Sequence, residues 1–379
     1  MKKFLLSLVV MGSFLTSCSS DDDNNNNTPD VPATGELSGT ITADMELNEE
    51  TVYTLRGPVY VESGVTLTIP AGTRLEGYAE EDAEAVSFLA VKQGGKIIAQ
   101  GTADNPIVMT SSKATPAPGD WGGLVICGNA VTNLGANTQA EVTGLTYGGN
   151  NPSDNSGVYS YIKVEYAGAL INEDAEFNGV TFYAVGSGTT VNNILVYQGS
   201  DDAFEWFGGS VNGSNLAGIG CQDDTFDWTE GWNGTVSNMY SDQSSATAFS
   251  SDSRGIEADN NSADGMLAPI SHPILSNITL IGRNDAAVTS EAGMMLRRGT
   301  RATINNAYIS GFIGTGSGLG INFNGTDSQA WFEANPIQNI RIMNVNETSN
   351  METGYTPSTT ATGAGAGAEI PGWMSWMGL

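Results

Sequence analysis

Along most of the chain, short apolar runs alternate with polar residues and stop at Gly, Asn, Asp or Ser. Alternation at period two predicts half-buried strands, and the frequent stops predict many short ones. Residues 59–77 (VYVESGVTLTIPAGTRLEG), 86–110 and 119–130 (GDWGGLVICGNA) follow this pattern, and helical periodicity is almost absent. Down the second half a six-residue unit recurs: apolar, any, Asn, apolar, any, usually apolar. It appears as VNNILV at 191–196, LSNITL at 275–280, INNAYI at 304–309 and IQNIRI at 337–342, with VSNMY at 236–240. The asparagines are Asn193, Asn215, Asn238, Asn277, Asn306 and Asn339, and Tyr161 takes the same place in YSYIKV at 159–164. Their spacings are 22, 23, 39, 29 and 33 residues. The sequence therefore repeats with a period near 22, lengthened by loop insertions.

Apolar residues lie at −2, +1 and +3 around each asparagine, so the alternation slips by one residue there. Such a slip marks a bend, and Asn tolerates the left-handed backbone that a bend can require. Rungs stacked about 4.8 Å apart would bring the amides into a hydrogen-bonded ladder. The pattern resembles the inward asparagine ladder of right-handed parallel β-helices such as the pectate lyases. The expected fold class is all-β: a single-stranded right-handed parallel β-helix over residues 37–349, with 37–58 capping its start. Residues 350–379 are expected to form a flexible Gly/Ala segment, GAGAGA at 363–368, followed by a Trp/Met-rich lid over the last rung.

Charge narrows the partners. Lys plus Arg total 14 against 42 Asp plus Glu, a formal net charge of −28. Nucleic acid, which needs basic footprints, is excluded as a partner, and cations are favoured. The first 17 residues, with Lys2, Lys3 and an apolar stretch from Phe4 to Leu15, read as a secretory signal too short to span a bilayer. It ends in Leu15-Thr16-Ser17-Cys18, which resembles a lipobox with Cys18 as the acylated residue. Residues 18–36 then read as a lipidated cysteine and a polar, disordered tether. The serine-and-acid run after Cys18 resembles a surface-export signal, so an outer-membrane lipoprotein facing the exterior is expected, with the lipid anchor as its membrane contact. Cys127 and Cys221 are left either as one disulfide or as two buried thiols.

The most unusual local feature is a pair of near copies, SDDAFEWFGG at 200–209 and QDDTFDWTEG at 222–231, offset by 22 residues. Stacking would superpose Asp201 on Asp223, Asp202 on Asp224, Glu205 on Asp227, and Phe204 and Trp206 on Phe226 and Trp228. Phe249 shares the aromatic offset from its asparagine, and Asp285 shares the acidic one. The aromatics read as an interior stack. The carboxylates read either as a hydrogen-bonded structural turn or as an oxygen-only Ca²⁺ site made by Asp201, Asp202, Glu205, Asp223, Asp224 and Asp227. Arg254, Arg297 and Arg298 are the nearby bases and are expected to pair with this acidic edge.

GDWGGLVICGNA, YIKVEYAGA, SDDAFEWFGGSVN, the second DDTFDW, GIEADNN and MLRRGTRATINN, in this order, resemble a family of Bacteroidetes surface lipoproteins with a β-helix. The resemblance implies fold and surface location but supplies no activity. The favoured expectation is a non-catalytic binding or accessory protein, with a glycan ligand or an outer-membrane nutrient transporter as partner. One alternative is a carbohydrate-active enzyme: a lyase using Asp201, Asp223 and Asp224 with Arg297 or Arg298, or a hydrolase using paired carboxylates. A polygalacturonase-like scheme lacks its histidine, because His272 sits between Ser271 and Pro273. A structural or adhesive surface module is the third. These readings differ in whether a concave groove, with a basic group or perturbed carboxylates, faces Asp201 to Asp227.

Overall fold

The computed structural model describes residues 32–172, 175–288 and 292–379. The expected signal peptide, Cys18 and the tether up to residue 31 lie outside them. Among the described residues no helix is long and apolar enough to cross a membrane.

The period-two segments form a right-handed parallel β-helix. One stack runs through Phe88–Val91, Leu124–Cys127, Val180–Tyr183, Phe204–Phe207, Phe226–Thr229, Arg254–Ala258, Ala292–Leu296 and Leu319–Phe323. A second runs from Arg74–Gly77 through Gly157–Glu165, Thr190–Tyr197, Thr235–Asp242 and Thr303–Ser310 to Ile337–Met343. A shorter third links Met45–Glu46, Thr66–Ile69 and Lys96–Gln100. The stack begins at Ala33–Ile41, ahead of residue 37, paired with Thr51–Val61. Residues 37–58 are thus largely rung and not a separate cap.

Register places Phe204, Phe226, Ile256, Met294 and Ile321 in one fully buried interior column. The Phe204 and Phe226 rings stack at 5.6 Å, and Trp206 stacks on Phe182 at 5.6 Å. The aromatics of the near copies therefore fill the interior, as their alternation predicts. Phe249 does not join them. It is half-buried beneath the Arg283 guanidinium, and Ile256 holds the next interior position. Residues 243–253 form a loop between strands, so an offset counted from Asn238 stops short of the strand.

The six ladder asparagines have φ between 53° and 61°, the left-handed conformation the slip requires. Asn215 Nδ2 donates to Asn193 Oδ1 (2.9 Å), Asn238 to Asn215 (2.7 Å), Asn277 to Asn238 (3.0 Å) and Asn306 to Asn277 (2.8 Å). Asn339 shares the conformation but is exposed. The ladder does not face inward as expected. The bonded amides are half-buried on the outer side of the bend, where Tyr161 meets Trp376 at the equivalent position. A left-handed residue turns its own side chain outward so that the apolar residues flanking the bend, Val191 and Ile194 in the first copy, can both point in. We expect Asn277→Ala to cost about 2–3 kcal/mol, from two lost hydrogen bonds and a Cβ residue held at positive φ. Asn277→Gly should recover about 1 kcal/mol of this, as checked by denaturant unfolding of the three proteins.

The C-terminal segment also departs from expectation. It does not lid the last rung and GAGAGA is not a free joint. Thr362 and Gly363 N–H donate to Asn306 Oδ1 (3.1 and 3.3 Å), closing the end of the ladder, and Ala364 N–H donates to Thr279 Oγ1 (3.0 Å). The 3-10 helix Gly372–Met377 then packs Met374, Trp376 and Met377 against Leu195, Ala217, Ile219 and Tyr240, and Lys163 Nζ donates to Met377 O. The tail thus runs back along the outer flank and covers apolar residues that strand alternation turns outward. Cys127 and Cys221 are both buried free thiols.

Candidate functional site: an acidic trough on the outer face

The interior column of Phe204, Phe226 and Ile256 fixes what lies one residue further along each strand. Thr181, Glu205, Asp227, Glu257 and Met295 stack in register and point outward. Two residues before the interior column, at the bend entering each strand, stand Asp202, Asp224 and Arg254. Asp202 Oδ1 accepts the Asp224 N–H (2.9 Å), and Asp224 Oδ1 accepts the Arg254 N–H. Backbone hydrogen bonds thus pin one oxygen of each bend carboxylate, an arrangement set by the 22-residue copy.

Glu205, Asp227 and Glu257 of the first set and Asp202, Asp224 and Arg254 of the second, with Asp201 and Asp223 beside them, line an outer-face cavity of about 440 Å³, to which loops add Glu141, Glu176, Ser250 and Asp252. All six acids expected from the near copies are brought together. Arg297 and Arg298 pair further along, Arg297 with Glu257 and Arg298 with Asp259 at 2.8 Å. Asp285 is not part of the trough; it is exposed and its Oδ1 accepts the Ala287 N–H (2.8 Å), because the chain has left the rung by that point. His272 is also elsewhere, half-buried against Trp331 with Nε2 3.1 Å from Thr303 Oγ1.

Sequence reasoning missed Glu257 as the third member of the Glu205–Asp227 column. The signal was present, since Ile256-Glu257-Ala258 repeats the apolar–acid–apolar order of Phe204-Glu205-Trp206. Glu141 and Glu176 come from loops with no repeat to mark them.

The electrostatics divide the trough in two. At one end Arg254, 5% exposed, reaches Glu257 and lies 3.4 Å from Asp224 Oδ2, while Arg297 meets Glu257 and lies 3.6 Å from Asp259. At the other end Asp201, Asp202, Glu205 and Asp223 form no ion pair among those of the described residues. Asn178 Nδ2 donates to Glu205 Oε2 (2.5 Å) and Ser250 Oγ donates to Asp223 Oδ1. Burial, then neighbouring carboxylates, hold Asp201, Asp202 and Glu205 well above the usual carboxylate range. Burial pushes Asp227 up to about 7 against the opposing charge of Arg297, and Asp259 to about 6 against that of Arg298. Arg297 is itself lowered to about 10, chiefly by burial.

Carboxylate oxygens fall into three overlapping triads, each within 4.8 Å: Asp201–Asp202–Asp223, Asp202–Glu205–Asp227 and Asp224–Asp227–Glu257. Asp227 Oδ1 is buried in the trough wall with no hydrogen-bond partner among the described residues. An orphaned buried carboxylate oxygen is costly unless a proton or a cation satisfies it. The donors are all hard oxygens, which suits Ca²⁺ and not a transition metal.

A family model described as a pectate-lyase like β-helix domain matches residues 39–377. No curated protein and no solved structure matches the chain.

Proposed function

The chain belongs to the pectate-lyase like β-helix domain family, and from that premise we propose a carbohydrate-related surface protein whose acidic trough binds ligands through a hard divalent cation. The trough carries this reading: buried carboxylates converge on one cavity, and at one end no arginine among the described residues forms an ion pair with them. A cation there neutralises the mutual repulsion and presents open coordination positions to an acidic or polyhydroxylated glycan. The lipobox and polar tether support display by Cys18 on the outer membrane, beside a nutrient transporter that would receive the captured glycan. The binding reading is preferred to a lyase because the arginines near the trough are taken up in ion pairs: Arg254 with Asp224 and Glu257, Arg297 with Glu257 and Arg298 with Asp259.

One observation favours hydrolysis as a second reading. A concave trough is present, and it contains carboxyls such as Asp227 that are raised into the range of a general acid. One experiment separates the two. The purified protein is mixed with acidic and neutral glycans in Ca²⁺ or in chelator, and both retention and new reducing ends are followed. Calcium-dependent retention without cleavage supports capture. New reducing ends, lost in Asp227→Asn, support hydrolysis, and neither signal with any glycan sinks both.

A further inference from the structure

The outward column that carries Glu205, Asp227 and Glu257 does not begin with them. Followed back through the register, it runs through Thr181, Val125 and Ala90 to Tyr60. Acids occupy one stretch of the column and apolar residues the stretch before it. Over the apolar stretch lies a second cavity, of about 340 Å³, walled by Pro58, Tyr60, Val86, Phe88, Val142 and Phe177. Tyr60 meets the Phe88 ring edge-on at 5.5 Å, and Phe177 lies against Phe88 at 4.8 Å. Gly122, in the GDWGG run, permits that approach, because a Cβ there would stand 2.9 Å from the Phe177 ring and 3.0 Å from Phe88 Cβ.

Among the described residues no charged side chain lines this cavity, although the chain holds 42 acids. Two connections nevertheless join it to the trough. Glu141 lines the trough and its neighbour Val142 the apolar cavity; Glu176 lines the trough and its neighbour Phe177 the apolar cavity. The two cavities share these walls, so an occupant of one runs into the other. Such an occupant has to offer oxygens at one end and an apolar group a residue's length away. A bare sugar would turn its hydroxyls toward Phe88 and Phe177 and leave them without partners. An acyl ester on the sugar presents a methyl group instead, and the cavity is at the small end of the range for ligand sites, which suits a short acyl group.

We propose that the cavity walled by Tyr60, Phe88 and Phe177 is an acyl subsite, taking the O-acetyl groups of a glycan whose neighbouring oxygens are held in the trough. The inference rests on the proposed reading of the trough as a calcium-dependent glycan site and specifies the class of glycan. Its test is retention of O-acetylated glucuronoxylan, and of the same polymer after alkaline deacetylation, on the immobilised full chain in Ca²⁺ and in chelator. In Ca²⁺ the acetylated polymer is expected to bind at least about fourfold tighter, the worth of one buried methyl group. Val86→Glu and Tyr60→Ala should each remove that preference, whereas Tyr60→Phe, which keeps the ring, should preserve it. Val86 is 36% exposed, so Val86→Glu should melt with the wild type, which separates a lost subsite from unfolding. Calcium-dependent retention of both polymers at equal strength, or a preference that survives Val86→Glu and Tyr60→Ala, overturns the subsite and leaves the trough standing. A preference that persists in chelator and is lost in Val86→Glu supports the subsite and overturns the calcium bridge. No retention of either polymer overturns both.

Discussion

Arg254→Met is expected to destabilise the protein by about 3–5 kcal/mol, the cost of leaving buried charges without their partner. Arg254 is 5% exposed and its guanidinium contacts Asp224 and Glu257, both also buried. Methionine fills much of the same volume, so the loss arises from charge and not from a cavity. The two carboxylates must then take up protons or remain as repelling anions beside Asp227. Adding Glu257→Gln should restore most of the stability, because it removes one of the stranded charges. Calcium should restore part of it by a different route, since the triad of Asp224, Asp227 and Glu257 loses its main counter-charge in this variant. Denaturant unfolding of the single and double variants, with hydrogen exchange read over Arg254–Ala258, measures both effects. An unchanged single variant would mean that Asp224 and Glu257 are neutral in the native protein.

The same strand shows how far the sequence could be read. The solenoid was legible because one bend geometry recurs: an asparagine at positive φ between two inward apolar residues leaves a spacing of 22 that chance does not produce. The acidic trough was legible only where that spacing is undisturbed, from Asp201 to Asp227. Beyond it the loop at 243–253 shifts the count, so Phe249 was assigned the interior position that Ile256 occupies, and Glu257 was not placed in the outward column; the pairing of Arg254 with the acidic edge was legible, and Asp224 is one of its partners. Which way the ladder faces was not encoded in the spacing, because inward and outward amides share one period. It follows from the handedness of φ and from the tail, whose Thr362 and Gly363 amides reach Asn306 from outside. Tail docking was illegible for a related reason. Leu195, Ala217 and Tyr240 are outward by alternation, and only the folded chain shows that Met374, Trp376 and Met377 cover them.

Stripped of divalent cations, the folded protein is expected to lose stability as pH rises from about 4 to about 7. The sign follows from which state holds the protons. Asp227 titrates near 3.8 when unfolded and near 7 when folded, and Asp259 near 3.8 and near 6. Asp201, Asp202 and Glu205 shift in the same direction, because burial and adjacent carboxylates disfavour their charged forms. Between the two values the native state binds protons that the unfolded chain has released, so unfolding free energy falls with pH. This contribution is complete below the unfolded value and is lost as pH passes the folded one. The usual carboxylate, stabilised by an ion pair, gives the opposite slope. If calcium binds as proposed, it competes with these protons for the same oxygens, so it should stabilise most at neutral pH and little at pH 4. At 100 times its dissociation constant, one bound ion adds about 2.7 kcal/mol, a melting shift of roughly 4 °C. Melting curves from pH 4 to 7.5, in chelator and in Ca²⁺, should therefore diverge as the pH rises. Parallel curves would deny that protons and calcium share the trough. A stripped protein that gains stability toward pH 7 would show that its carboxylates are already ionised and matched by the arginines. If instead the curves diverge, the neutral-pH fold stands on the ion that replaces the protons.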